Sequence, residues 1–123
     1  MFGGLLKKIG CKLRPYEVEA GAVDRAIEQA MDIFYETFLK DTSKEEAVRS
    51  VLPLFESIDT AGAGRPKVAI FGDLYARDND IVNQGLIRTI EANGGEAITT
   101  PYNEYMRIIA NPFIRKWMRE GLY

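Results

Sequence analysis

The chain has 123 residues, of which 46% are hydrophobic and 28% charged, and its formal net charge is −2. This length supports one hydrophobic core, and the balanced charge excludes a basic surface for nucleic acid spread over the whole chain. Because it has no His and one Cys, the chain alone builds neither a Ser-His-Asp or Cys-His nucleophile nor a four-cysteine zinc or iron-sulfur site.

The first 14 residues mix apolar and basic side chains without forming a targeting signal. Lys7 interrupts the apolar run after Leu5 and Leu6, whereas a secretory signal needs about 7 to 15 apolar residues and a membrane span about 20. We predict an exposed terminus or an edge strand here, with no membrane contact.

Two amphipathic helices are predicted next. From Gly21 to Leu39 the apolar residues recur at helical spacing and form one stripe. Ser43 and Glu46 have the spacing of a capping box for a second helix that runs to about Ile58. Pro53 lies inside that helix and is expected to kink or end it.

A linker and a strand follow the helices. Residues 59–66 are small, glycine-containing and aperiodic, which predicts a linker after an N-terminal segment and helical pair spanning residues 1–58. The apolar run Lys67 to Phe71 is bounded by Pro66 and Gly72, which is typical of a strand buried on both faces of a parallel sheet.

A second helix-strand pair completes a βαβ pattern. Residues 73–79 are predicted to form a polar loop, and Asp80 to cap a helix over residues 81–93 that ends at Gly94 and Gly95. Its predicted buried residues are Ile81, Val82, Leu86, Ile87 and Ile90. A second strand is predicted over residues 96–100.

The last predicted element is a helix that begins near Asn103, with Tyr105, Met106 and Ile109 facing inward and a bend at Pro112. Its aromatic residues recur at roughly helical spacing. We interpret them as a packing face rather than a ligand-binding box. They are Tyr102, Tyr105, Phe113 and Trp117.

This order of elements predicts an α/β fold. Residues 67–123 are expected to form a Rossmann-like, right-handed βαβ unit with parallel strands, preceded by the two-helix segment. Two strands alone make a poor sheet. We therefore expect an incomplete sheet, completed by a third strand around residues 12–18, by another chain or by sequence absent here.

Candidate site residues follow the two predicted strands. Ligands of open α/β sheets bind beyond the carboxyl ends of the strands, and Arg77 is suited to clamp a phosphate or carboxylate. The candidate ligand-binding residues are Asp73, Tyr75, Arg77, Asn79, Thr100 and Tyr102. Asp and Asn in such loops also serve as simple caps or turn residues. No catalytic residue and no metal ligand is assigned.

A dense polar cluster, Arg14-Pro15-Tyr16-Glu17, precedes the first strong helix. Pro15 keeps Arg14 extended, so its guanidinium can project towards a carboxylate. An ordinary turn with a surface ion pair is an equal alternative.

This cluster also carries a family resemblance. Together with the segment 65–79, RPKVAIFGDLYARDN, and the later Gly94-Gly95-Glu96 and Thr100-Pro101-Tyr102, it resembles the 2-hydroxyacyl-CoA dehydratase superfamily. The nearer relatives are the proteins called acyl-CoA dehydratase activase-related, or CoA-substrate-specific enzyme activase. The resemblance covers most of the chain from Lys12 onward.

The resemblance implies iron-sulfur chemistry on CoA thioesters. In such dehydratases an ATP-driven activator passes an electron to a [4Fe-4S] cluster held by cysteines between Rossmann-like subdomains. This chain lacks that cysteine set. It is therefore expected to be a non-catalytic domain or internal segment, and the cluster and activator are expected only for a full-length relative.

Two other functions remain open, a small phosphoacceptor or phosphate-binding domain that uses Asp73, and a purely structural oligomerising module. The expected partners are the rest of a parent protein or further copies of the chain, with an acyl-CoA-type ligand and no nucleic acid. A single Cys also fits a reducing, cytoplasmic location.

Overall fold

The computed structural model describes residues 2–121, apart from the side chain of Asn103. The described part of the chain is a mixed α/β fold with a two-stranded parallel sheet. Its elements are α1 (Phe2–Leu13), a 3-10 turn (Arg14–Tyr16), α2 (Ala22–Leu39), α3 (Lys44–Glu56), β1 (Lys67–Ala69), α4 (Leu74–Asp78), α5 (Leu86–Ala92), β2 (Glu96–Ile98) and α6 (Tyr102–Glu120).

The N-terminal segment is a helix, so the predicted exposed terminus or edge strand is wrong. Leu6 and Cys11 are buried on one side of α1, and the Phe2 ring stacks on Phe34 of α2 with 4.2 Å between ring centroids. Gly10 lets α1 lie close to its neighbours, because a Cβ there would come within 2.9 Å of Ile27 Cδ1.

The third strand predicted around residues 12–18 is also wrong. Residues 14–16 form the 3-10 turn, in which Pro15 lies near the start, where its missing N–H costs no hydrogen bond. Glu17 alone pairs in a strand-like way, through an isolated antiparallel bridge to Thr60.

The two predicted amphipathic helices are confirmed. α2 begins one residue after its predicted start, and the Ser43 hydroxyl accepts a hydrogen bond from the Glu46 N–H at 3.3 Å as the N-cap of α3. α3 continues past Pro53 and ends three residues later, so the proline lies in its last turn. Together with α1 these helices bury Leu6, Ala30, Phe34, Ala47 and Val51.

Residues 59–66 contain no helix and only one bridge residue, Thr60. Backbone hydrogen bonds nevertheless join the start of this segment to residues 16–18. The Val18 N–H donates to the Asp59 carbonyl at 3.0 Å, and the Ala61 N–H donates to the Tyr16 carbonyl at 2.8 Å. The first residues of the segment are therefore held against residues 16–18 by backbone hydrogen bonds.

The parallel pairing of the two strands is confirmed, with Val68 opposite Ala97. Side chains alternate along a strand, so these two residues share a face, and Ala97 packs there with Cys11, Ile70 and Ile87. The predicted burial of the first strand on both faces is wrong, because all three residues of β1 are exposed.

The connection between the strands differs from the prediction. The expected loop over residues 73–79 contains α4, and the expected helix start at Ile81 is replaced by turns up to Gly85, which has a φ of +67°. The Asn79 side chain accepts hydrogen bonds from the N–H groups of Ile81 and Val82, and such local bonds compete with a helix.

Burial within this connection also differs from the prediction. Ile81 is 89% exposed, Val82 and Leu86 are exposed, and Ile87 alone is fully buried, with Ile90 packed beside it. The predicted end of the helix at Gly94 is confirmed by its φ of +84° and by a 2.9 Å bond from the Gly95 N–H to the Ile90 carbonyl.

α6 begins at Tyr102, one residue before the predicted start, and runs through Pro112 to Glu120. Its predicted packing face is wrong, because Met106, Ile109, Phe113 and Trp117 are all exposed. Within residues 2–121, no helix is both long and apolar enough to cross a membrane.

Candidate functional site

The segments that follow the two strands meet at one edge of the sheet, as the parallel arrangement predicts. Arg77 of α4 donates a hydrogen bond from Nη2 to the carbonyl oxygen of Thr100 at 2.8 Å. We use the name strand-end rim for this edge, formed by residues 73–79 and 100–105. The candidate residues after both strands thus share one location.

Arg77 lies inside the rim, with its side chain only 4% exposed. Its Nη2 also contacts Asp78 Oδ2 at 3.2 Å, and its guanidinium lies over the Tyr105 ring at 5.9 Å from the centroid. Within the described residues its Nε has no hydrogen-bond partner. The guanidinium holds the rim together and does not extend into solvent to clamp an anion.

Asp73 and Asn79 satisfy backbone groups close to themselves. Asp73 Oδ1 accepts hydrogen bonds from the N–H groups of Tyr75 and Ala76 as the N-cap of α4. Asn79 Oδ1 does the same for the turn that follows. Both residues therefore have a structural role that needs no ligand.

The exposed surface of the rim is partly aromatic and partly acidic, since Asp73 and Asp78 are exposed there beside two tyrosines. Tyr75 and Tyr102 are both exposed, whereas Thr100 is half-buried. Two accessible phenol rings near an Asp carboxylate offer stacking and hydrogen-bonding surface to a planar polar ligand.

Two lysines of α1 flank the rim, and the sequence reasoning missed them. Lys7 Nζ lies 3.6 Å from Asp78 Oδ1 and 4.0 Å from Asp80 Oδ1, and Lys8 Nζ lies 2.6 Å from Glu104 Oε1. The available signal was the helical spacing of Phe2 and Leu6, which indicates a helix that packs on α2 and α3. Cys11 of the same helix packs against Ala97 of the sheet.

Arg14 joins the helical and the α/β parts of the chain. Its Nε donates to Asp24 Oδ1 of α2 at 3.0 Å, and its Nη1 donates to Glu91 Oε1 of α5 at 2.8 Å. Arg14 reaches two carboxylates, but it does so from the 3-10 turn, so the extended backbone predicted for Arg14 is wrong and the turn with an ion pair describes it better.

Arg88 completes a network of four charges. Its Nη2 donates to both carboxylate oxygens of Asp24, at 2.9 and 2.8 Å, and its Nη1 lies 3.7 Å from Glu91 Oε2. We call Arg14, Asp24, Arg88 and Glu91 the RDRE network. Its two positive and two negative charges balance.

The network shifts the pKa values of its members in different directions. Burial raises the pKa of Glu91 above its ordinary value, and Arg14 only partly counters this effect. Burial acts in the same direction on Asp24, but hydrogen bonds from Arg88 and Arg14 outweigh it and hold that pKa below its ordinary value. Burial lowers the pKa of Arg14, but Glu91 and Asp24 more than compensate and raise it.

Tyr16 provides a second connection between the two parts. Its hydroxyl donates to Glu96 Oε2 of β2 at 2.8 Å and accepts from the Arg65 N–H at 3.0 Å. The Arg65 guanidinium lies 5.8 Å from the centroid of the Tyr16 ring. Tyr16 thus fixes the end of the linker beside the start of the sheet.

Glu17 caps α2 from outside the helix. Its carboxylate accepts hydrogen bonds from the N–H groups of Gly21 and Val23 at 2.9 and 2.8 Å. The N-cap position itself is Gly21, with a φ of +82° and no side chain to accept such bonds. A negatively charged carboxylate at the N-terminus of α2 also interacts favourably with the positive end of the helix dipole.

Replacing Glu17 with Gln is expected to lower the free energy of unfolding by about 1 kcal/mol, because one charged acceptor oxygen is lost from the cap. Urea denaturation followed by circular dichroism measures the change. The control is Glu19→Gln, which alters an exposed pair with Arg25 and should cost less than about 0.5 kcal/mol. Equal losses in the two variants would contradict the capping role.

The chain does not fit a resident iron-sulfur cluster. Its one Cys, Cys11, is 2% exposed and packs against Ile70, Ile87 and Ala97, whereas such clusters are held by about four cysteine thiolates. Burial raises the pKa of the Cys11 thiol, and nearby Glu91 adds to this effect.

No group of three or more His, Cys, Asp or Glu side chains arranged to hold a metal ion occurs among residues 2–121. Comparison of the chain with protein-family models, with curated proteins and with solved structures finds no match.

Proposed function

We propose that this chain is a non-catalytic α/β domain of a 2-hydroxyacyl-CoA dehydratase or activase-related iron-sulfur protein, and that its strand-end rim contributes to a site for an acyl-CoA-type ligand. The observation that carries the proposal is the 2.8 Å bond from Arg77 to the Thr100 carbonyl, since it joins the segments after both strands where ligands of α/β sheets bind.

The motif that suggests the family also has a clear physical role. Arg14 and Tyr16 bond to residues 77 and 80 positions later in the chain, and Glu17 caps α2. These contacts support a role for the motif in orienting the helical part against the α/β part. A cluster and its electron donor would then come from the rest of the parent protein.

The exposed rim residues define the expected ligand contacts. Tyr75 and Tyr102 present aromatic surface suited to the adenine of coenzyme A. Lys7 and Lys8 on the adjacent α1 lie beside the rim, where they pair with Asp78 and Glu104 and would have to exchange these partners to bind a phosphate. Base stacking on an aromatic side chain contributes about 1–3 kcal/mol.

Titration of the labelled chain with coenzyme A, followed by amide chemical shifts, tests the proposal. We expect saturable shifts concentrated in residues 73–79 and 100–105. The double variant Tyr75→Ala/Tyr102→Ala should weaken binding by at least about fivefold, the loss that corresponds to about 1 kcal/mol. Tyr35→Ala, an exposed tyrosine on α2, serves as the matched control and should bind normally.

Absence of saturable shifts in the rim, or an equal effect of the control, would contradict the proposal.

The phosphoacceptor alternative is tested by adding acetyl phosphate and Mg²⁺. We expect no acid-stable increase in the mass of the chain under these conditions. Phosphorylation that disappears in Asp73→Asn would favour the phosphoacceptor alternative.

A further inference from the structure

An Asn-Gly pair lies at the joint between α5 and β2. Asn93 and Gly94 form the single Asn-Gly pair of the chain, and both residues are exposed. Asn93 is the C-cap of α5, and Gly94 has a φ of +84°, which glycine adopts without the steric cost of a side chain. Because β2 starts two residues later, this joint lies at the end of the sheet opposite to the strand-end rim.

Asn followed by Gly carries the two groups of an intramolecular acyl transfer. The deprotonated backbone nitrogen of Gly94 attacks the Asn93 Cγ, which closes a five-membered succinimide, and the proton passes through water to the departing ammonia. Water then opens one of the two new C–N bonds and leaves aspartate or isoaspartate. Glycine has no side chain that obstructs its own nitrogen, whereas the other four asparagines are followed by Asp, Gln, Glu or Pro.

Two hydrogen bonds must open before the Gly94 nitrogen can reach the Asn93 Cγ. Asn93 Nδ2 donates to the Thr89 carbonyl at 2.8 Å, and the Gly94 N–H donates to the Glu91 carbonyl at 3.1 Å. Both bonds lie at the exposed end of a helix of seven residues. Helix ends of this kind open locally, at a free energy well below that of global unfolding.

A cavity beside the joint provides room for the reaction. Its volume is about 330 Å³, and its lining includes Val68, Thr89, Asn93 and Gly94. The Asn93 side chain therefore has space to rotate away from the Thr89 carbonyl. The same space lets the water that hydrolyses the succinimide reach it.

We propose that Asn93 is a site of spontaneous deamidation in the folded chain, and that its isoaspartyl product loosens the joint between α5 and β2. Isoaspartate places the Cβ of residue 93 in the main chain, so the backbone gains one atom directly before Gly94. The next residue, Gly95, is buried, and a Cβ on it would lie 2.7 Å from Ile90 Cγ2 and 3.3 Å from Val68 Cγ2. Such close packing leaves no space for a longer backbone.

The charge of the product acts in the same direction. Deamidation replaces the Asn93 Nδ2 donor with a carboxylate, which only accepts, so the hydrogen bond to the Thr89 carbonyl is lost. The new negative charge lies at the C-terminus of α5, where the helix dipole is also negative. Aspartate has this charge without the longer backbone, so it should loosen the joint less than isoaspartate does.

Incubation of the full chain in neutral buffer, followed by peptide mapping with mass spectrometry, tests the site. Labelling by an isoaspartyl methyltransferase identifies the isoaspartyl product. We expect conversion at Asn93 and none over the same period at Asn79 or Asn83. Conversion should be about 30-fold slower than in the chain unfolded by urea, the factor that corresponds to about 2 kcal/mol for opening two exposed hydrogen bonds.

Two variants and an exchange measurement test the consequence. Asn93→Gln is the matched control and should show no conversion, because its longer side chain keeps the amide but must close a six-membered ring. The Gly95 N–H donates to the Ile90 carbonyl at 2.9 Å, so its hydrogen exchange reports on the joint. Exchange should be at least about fivefold faster in the isoaspartyl form than in the parent chain, the factor that corresponds to about 1 kcal/mol. Asn93→Asp should lie between the two.

Three results would overturn the proposal. The first is a folded chain that stays unmodified at Asn93 while the unfolded chain is converted completely, or one whose conversion is more than about a thousandfold slower, as a requirement for global unfolding would make it. The second is equal conversion at Asn79, Asn83 and Asn93. The third is unchanged exchange of the Gly95 N–H in the isoaspartyl form, which would show that the joint tolerates the longer backbone.

Discussion

Replacing Arg14 with alanine is expected to lower the free energy of unfolding by about 3 kcal/mol, since removal of one partner of a buried ion pair is strongly destabilising. The Arg14 side chain is 13% exposed and that of Glu91 is 8% exposed. Without Arg14, Glu91 keeps only the 3.7 Å contact with Arg88. The loss therefore comes mainly from a buried carboxylate that has lost its hydrogen-bonded cation.

Urea denaturation measures this loss, and two further variants test its origin. Arg88→Ala removes a side chain that is 56% exposed and should cost less than about 1 kcal/mol. The double variant Arg14→Met/Glu91→Leu should recover at least half of the lost stability, because no unpaired charge remains between the 3-10 turn and α5. If Arg14→Ala is as stable as the parent chain, the RDRE network contributes little to the free energy of unfolding.

Replacing Arg77 with alanine is expected to lower the free energy of unfolding by about 2 kcal/mol, because a buried charge-assisted hydrogen bond to the Thr100 carbonyl is lost together with packing on Tyr105. Arg77→Lys should lose less, since an ammonium keeps the charge and one donor. The control is Arg25→Ala, whose side chain pairs with Glu19 at an exposed position. An unchanged denaturation midpoint for Arg77→Ala would favour a rim that forms without Arg77.

Sequence periodicity was sufficient for the helices whose apolar stripes are long and whose ends are marked. α2 shows six apolar positions on one stripe, and Ser43 with Glu46 marks the start of α3. The parallel pairing of β1 with β2 also followed from the order of elements, because a strand, a helix and a strand within about 35 residues favour a crossover connection.

Local hydrogen bonds explain why residues 79–85 do not form the predicted start of a helix. Ile81 and Val82 look like the start of a helix by composition, but Asn79 and Asn83 bind backbone N–H groups there. α1 was missed for a different reason. Its apolar run is too short for a targeting signal, and the information on the helix lies in the spacing of Phe2 and Leu6 instead of in the length of the run.

The partners of the motif were beyond sequence reasoning. A carboxylate for Arg14 was expected from the chemistry of a guanidinium, but nothing local identifies Glu91, 77 residues away. The buried position of Arg77 was equally hidden, because its burial depends on Tyr105 and Thr100 after the second strand. Contacts that depend on tertiary packing set the limit of the prediction at both sites.

The distance along the chain between Tyr16 and Glu96 has a consequence for biosynthesis. The bond between them spans 80 residues, so Tyr16 leaves the ribosome well before its partner exists. At about 5–20 residues per second, the delay is roughly 4 to 16 s. During translation, α1 through α3 can assemble early, whereas their attachment to the sheet through this bond must wait until Glu96 has been synthesised.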